Sequence, residues 1–237
     1  MLIMMKKTVL ALALLATTAS AFAADSVDVR VIGTIVPAAC TPTLSGGGTV
    51  DYGTIKADTI SATDYTVLAE KQIDFSISCD APAKVALTAA TGRPGSVAAG
   101  TETNQGVAYP PFNLFGLEGV AAAGLGLDGS DKIGGYAVRI DNSTVTADGA
   151  AVDSLRADNR AGVISAWTND AWAGIVYSPF SQVRMTSWAE PGTRTPVAFT
   201  TLAGKLGVQA YINKGEALDL SKPIHLDGLT TITLLYL

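Results

Sequence analysis

Period-two alternation of apolar side chains is the feature that most restricts what this chain can become. Between Lys71 and Cys79, Ile73, Phe75, Ile77 and Cys79 alternate with Gln72, Asp74, Ser76 and Ser78. Such a pattern gives one apolar and one polar face only on an extended backbone. Tyr136, Val138 and Ile140 repeat it, as do Leu206, Val208, Ala210 and Ile212 ahead of the turn-forming Asn213-Lys214-Gly215. Val85 and Leu87 open another strand beyond Pro82. Ile175–Ser178 and Gln182–Trp188 read as strands flanking Ser178-Pro179, and Leu229–Leu237 as the last strand. The composition points the same way: charged residues make up only 16% of the chain, while Gly, Ala, Thr and Val abound. The expectation is an all-β domain. Thr91–Asp131, rich in Gly, Ala and Pro, predicts long loops with short strands, and Ala147–Ala161 predicts a short helix. No linker and no internal repeat divides the chain, which is 237 residues long.

The first residues read as an export signal. Lys6 and Lys7 precede a short apolar run, Thr8–Thr17, and Ala21-Phe22-Ala23 has the small-residue spacing of a cleavage site. The expected organisation is a signal peptide over 1–23, an N-terminal extension over 24–36, and one β-sandwich domain over 37–237. Two cysteines, Cys40 and Cys79, remain in the exported part. An oxidising compartment favours one disulfide between them, the alternative being two buried thiols.

Little in the chain suggests chemistry. The lone histidine, His225, sits in "KPIHLDG" without a nucleophile at any known spacing, and there is no G-x-S-x-G elbow. "GLGLDG" lacks the spacing of a phosphate loop. Asp128, Asp131 and Glu118 lie on a Gly-rich stretch without EF-hand spacing. The reading is therefore of a protein that is not an enzyme, with no catalytic residue, no cofactor and no metal. The formal net charge is −5 and no basic cluster exists, which argues against a nucleic-acid partner.

The two ends carry the most specific information. In "ADSVDVRVIGTIVPAAC", Val27, Val29, Val31, Gly33 and Ile35 alternate with Asp28, Arg30, Ile32 and Thr34. No hairpin partner follows: Pro37 and Pro42 flank Cys40, and Ser45–Gly48 reads as a loop. At the other end, "LDGLTTITLLYL" places Ile232, Leu234 and Tyr236 on one face, and the sequence stops inside the strand. An apolar edge strand is an aggregation hazard unless something covers it. Both ends are expected to pair with another molecule, rather than the first serving as the opening strand of a self-contained sandwich.

On these residues the chain resembles the subunits of chaperone–usher fimbriae (pilins), and among them the larger DUF1120 type. The points of likeness are the extension with glycine at its fourth alternate position, Cys40 just after it, Cys79 on the second strand, and the penultimate Tyr236. "LGVQAYINKGEALDLSKPIHLDG" also resembles the DUF1120-type ending. Where pilins carry a glycine about fourteen residues from the end, this chain has Ile224, with Gly228 the nearest glycine. The resemblance implies an incomplete immunoglobulin-like sandwich, completed by a donor strand from a neighbouring subunit. A periplasmic pilus chaperone would fill the open groove first, pairing with the edge formed by Ile232, Leu234 and Tyr236. At an outer-membrane usher, the extension of the next fimbrial subunit would replace it. Val27, Val29, Val31 and Ile35 would then be the inserted side chains, with Gly33 passing a shallow point. The implied location is a fimbrium on the cell surface, reached through the periplasm, and the implied role is structural, contributing to adhesion. The alternative function is a secreted sugar-binding or adhesin-type β-sandwich in which Trp167, Trp172 and Trp188 form a stacking platform. An outer-membrane β-barrel fits less well, because the alternation is too patchy for eight spanning strands.

Overall fold

The computed structural model describes residues 27–34, 38–178 and 180–237. The chain divides into two units, Met1–Val36 and Pro37–Leu237. The expected signal peptide and Ile35 lie outside the described residues. In the first unit, Val27–Thr34 forms neither strand nor helix.

The second unit is a β-sandwich. Its main strands are β1 (Cys40–Leu44), β2 (Lys71–Ala83), β3 (Val85–Thr91), β4 (Gly134–Ile140), β5 (Asp153–Arg160), β6 (Val183–Ala189), β7 (Phe199–Ile212) and β8 (Thr230–Tyr236). One sheet runs β1-β2-β7-β4 and continues through the short strands Ala122–Gly124 and Val107–Ala108. The other runs from Val163–Ile164 through β5, β6 and β3 to β8. These strands all pair antiparallel. Only Lys84 separates β2 from β3, so one nearly continuous extended run passes from the first sheet to the second.

The alternation fixes which faces meet. Phe75 and Ile77 of β2, Tyr136, Val138 and Ile140 of β4, and Leu206, Val208, Ala210 and Ile212 of β7 all join one core. Val85 and Leu87 of β3 and Trp188 of β6 enter it from the second sheet. Trp188 is fully buried, edge-on to Phe199 at 6.1 Å between centroids. Cys40 and Cys79 face each other in the β1–β2 register and form a disulfide.

The long middle segment has a defined place. Ala99, Leu114, Val120 and Ala122 pack with Ala137 and Tyr211 on the other face of the first sheet. Phe112 meets Tyr211 edge-on at 4.8 Å. β7 is thereby buried on both faces, and β4 accommodates it closely: a Cβ on Gly135 would collide with the Tyr211 ring.

Two expectations fail. Ala147–Ala161 is not helical. Asp148 and Gly149 both adopt positive φ (48° and 79°), the two-residue turn that closes a hairpin between Thr146–Ala147 and Ala150–Ala151. β5 follows directly, with Leu155 and Ala157 buried. Ile175–Ser178 is buried but is not a strand, because the chain enters it through positive φ at Ala173 and Gly174 and only Ile175 bridges, to Arg139.

Candidate functional site

The second sheet ends at β8, and the hydrogen bonds of that strand leave one side open. Gly92 N donates to Leu229 O at 2.7 Å, and Leu237 N donates to Lys84 O at 3.0 Å. In an antiparallel ladder these end bonds set the phase. The odd-numbered residues of β8 spend their backbone groups on β3, and Thr230, Ile232, Leu234 and Tyr236 direct theirs to the opposite edge. Among the described residues no strand pairs along that edge. The same four residues alternate inward: Ile232 and Leu234 pack against the main core, while Thr231 and Thr233 are exposed.

A groove of about 1010 Å³, with an aliphatic floor and mixed polar and apolar walls, opens beside this edge. Its floor is the inner face of the first sheet, including Ile73, Val138, Leu206, Val208 and Ile212. One wall is the chain leaving β1, from Leu44 to Ile60, and the other is Leu218–Ile232. The volume reaches the upper end of the roughly 300–1,000 Å³ typical of small-molecule sites. The groove floor is aliphatic, while polar side chains, among them Asp51, Thr54, Lys222 and His225, stand along the walls. Ile224 and His225 lie on the C-terminal wall. Gly228 lets that wall approach Tyr136, since a Cβ there would stand 2.7 Å from the ring.

The tyrosine hydroxyls around the groove are already engaged. Tyr52 donates its hydroxyl to Val208 O (2.9 Å) and accepts from Ala210 N (3.1 Å), filling a gap in the β7 ladder. The Tyr136 and Tyr177 hydroxyls both bond Thr230 Oγ1, at 2.7 and 2.6 Å. Burial pushes the phenols of Tyr52, Tyr136 and Tyr177 above the ordinary tyrosine range, so they stay neutral. Tyr236 reaches across the gap between sheets: its hydroxyl accepts a hydrogen bond from Cys40 N at 2.7 Å. This staple joins β8 to β1, so the two open sheet edges face each other from a tied end.

Two ion pairs brace the C-terminal wall against the middle segment. Arg93 clamps Asp227 with Nη2 to Oδ1 at 2.7 Å and Nε to Oδ2 at 2.8 Å, and Lys222 meets Asp128 at 3.0 Å. The Arg93 hydrogen bond holds the Asp227 carboxyl below its usual range.

The residues singled out in the sequence thus fall into separate groups. Ile232, Leu234 and Tyr236 lie on one strand beside the groove, and Cys40 is tied to the last of them. Val27, Val29 and Val31 are 88%, 85% and 92% exposed, and Gly33 is exposed with them. Among the described residues they pair with no strand. Trp167, Trp172 and Trp188 do not share a surface: Trp188 is in the main core, Trp167 packs beside Ala157 and Met185, and Trp172 is exposed. No group of three potential metal-ligating side chains is gathered among the described residues. The groove walls at 49–60 and 218–229 carry no strand period in the sequence, because their apolar residues stand singly in irregular chain. Ile55, Ile60, Leu218 and Leu226, without any period, were the only signal.

Comparison with known proteins adds relatives. The family described as "Protein of unknown function (DUF1120)" matches residues 29–112. The chain is 32% identical over 225 residues to "Uncharacterized protein YhcF" of Escherichia coli (strain K12), covering 92% of this chain and 93% of that protein. It is 31% identical over 241 residues to "Protein GltF" of the same organism, covering 92% of each.

Proposed function

Starting from the fact that this chain belongs to the DUF1120 family, we propose that it is a structural subunit of a surface fibre, assembled by donor-strand exchange. The observation that carries the reading is the open edge of β8 above a long groove with an aliphatic floor, in a chain whose own N-terminal segment is strand-patterned, exposed and, among the described residues, unpaired. The sandwich is of the incomplete immunoglobulin-like kind, and the extension of one subunit completes the next. Nine extended residues, Val27–Ile35, span roughly 30 Å, and the seven residues of β8 offer about 24 Å of edge. The surplus runs along the Leu218–Leu229 wall. Side chains at alternate positions face the groove floor while the donor backbone bonds the β8 edge. A slip of one residue would drive Asp28 and Arg30 into the aliphatic floor, so the register is strongly specified.

Four buried aliphatic side chains contribute about 6–12 kcal/mol as an upper figure, before the ladder bonds are counted. That suits a joint that rarely opens. A free groove of this kind would aggregate, and a periplasmic chaperone pairing with β8 during export, followed by transfer at an outer-membrane usher, keeps it covered. Contribution to adhesion at the cell surface follows from the fibre. The test is deletion of residues 24–36 behind an intact signal peptide. The subunit should be exported, form its disulfide and bind chaperone, yet form no polymer by itself. Polymers built from the truncated subunit alone would end the proposal.

A further inference from the structure

A second, smaller cavity has a lining that shares no residue with the groove. It measures about 200 Å³ and is lined by Arg156 and Asp158 of β5, Arg184 of β6, and the rings of Tyr109, Trp172 and Tyr177. Strand register explains the charge cluster. Arg156 and Asp158 are two apart and share a face of β5, and Arg184 stands directly opposite Asp158. Trp188, on the same face of β6 as Arg184, points into the main core. The three ionised groups therefore face the space between the sheets rather than solvent.

What sets this cavity apart is its unspent hydrogen bonding. The Arg184 side chain is only 5% exposed, and its Nε has no hydrogen-bond partner. It meets Asp158 Oδ1 at 3.5 Å as a charge contact alone, and that oxygen is unpartnered too. Arg156 Nε is likewise buried and unpartnered. A buried guanidinium Nε–H left without a hydrogen bond is costly, and native interiors rarely keep one for stability's sake. Two cations against one anion leave one positive charge over, in a protein whose net charge is −5. The guanidinium fork matches a carboxylate in shape. A single excess charge suits a monoanion better than a phosphate dianion. Trp172, 42% exposed, stands at the same cavity and offers a ring face to whatever carries the anion.

We propose that Arg156 and Arg184 bind the carboxylate of a carboxylated ring of the sugar-acid type, with Trp172 and Tyr109 packing on the ring. Asp158 sets the net charge of the site. The site has its own lining residues, distinct from those of the β8 groove, although the Tyr177 hydroxyl bonds Thr230 at the groove's edge.

The test uses the full exported chain and a matched pair of probes, glucuronate and glucose, which share a ring and differ in the carboxylate. Calorimetric titration should show saturable glucuronate binding, with glucose at least tenfold weaker, and glucuronate should change the Trp172 fluorescence. Arg156→Gln leaves Arg184 and Asp158 balanced; it should weaken glucuronate at least tenfold without lowering Tm. Asp158→Asn adds to the positive excess and should tighten binding. Absence of saturable glucuronate binding would overturn the proposal. So would equal binding of glucose, or a loss of affinity in Asp158→Asn.

Discussion

Replacing Gly33 with Leu separates the subunit's own stability from its ability to join a neighbour. A Cβ built on Gly33 meets nothing within 4 Å in this chain. The substitution should therefore leave the fold alone, within about 0.5 kcal/mol, or roughly 1–2 °C in Tm for a domain of this size. In a neighbour's groove the new side chain has to be accommodated between Val31 and Ile35. Overpacking costs about 1–3 kcal/mol. Lifting one flanking aliphatic residue out of contact forfeits about 1.5–3 kcal/mol more. Together the joint weakens by roughly 2.5–6 kcal/mol, about two to four orders of magnitude in affinity. The readout is a pair of measurements, thermal unfolding of the subunit and the length of SDS-resistant ladders after assembly. Tm should hold and the ladders should shorten. The defect should be one-sided, because the variant's own groove still accepts a wild-type strand and so caps a growing fibre. A variant that unfolds, or one that forms full-length ladders, refutes the reasoning.

Removing the disulfide with Cys40→Ala and Cys79→Ala releases a loop with a sequence separation of 39. The expected loss is about 4 kcal/mol in the chain-entropy account, read as a fall of roughly 8–15 °C in Tm. Mass spectrometry of the wild type should find no free thiol. Deleting Leu234–Leu237 removes three of the seven β3–β8 register pairs and the Tyr236–Cys40 staple, and the truncated subunit should fail to accumulate after export, which immunoblotting would show. Asp148 predicts an acid limit. The Thr200 hydroxyl first, then the Thr201 and Thr200 backbone amides, hold its carboxyl at about 2. With the folded pKa depressed, its stabilisation is present above the unfolded value near 4 and is lost as pH falls toward 2. Asp148→Asn, which tolerates the positive φ at this turn, should flatten that part of a Tm–pH profile; an unchanged profile would count against the assignment.

The strands that were legible in the sequence are those that alternate against the core. β2, β4, β7 and β8 announce themselves through Phe75 and Ile77, Val138 and Ile140, Leu206 and Val208, and Ile232 and Leu234. The hairpin at Asp148-Gly149 was also there to be read, since Asp-Gly is a strong two-residue turn signal. The alanine-rich flanks suggested a helix instead. The middle segment was opaque for a physical reason: Ala99, Leu114 and Val120 are buried from irregular chain, where neither period applies. For the groove, the strand at one edge was legible and the walls were not. Arg156 and Arg184 drew no notice either, because their meeting depends on the β5–β6 register, which no local pattern encodes.

The central claim is that the groove beside β8 takes the extension of another copy. A photo-reactive residue placed at Val29, in mixed populations of light and isotope-heavy subunits, tests it most directly once the assembled material is digested and its cross-links are mapped by mass spectrometry. The account predicts mixed light–heavy cross-links from position 29 to the groove lining, at residues such as Ile73, Val208 and Ile232. Cross-links confined to single molecules, or mapped to surfaces outside the groove, would contradict it.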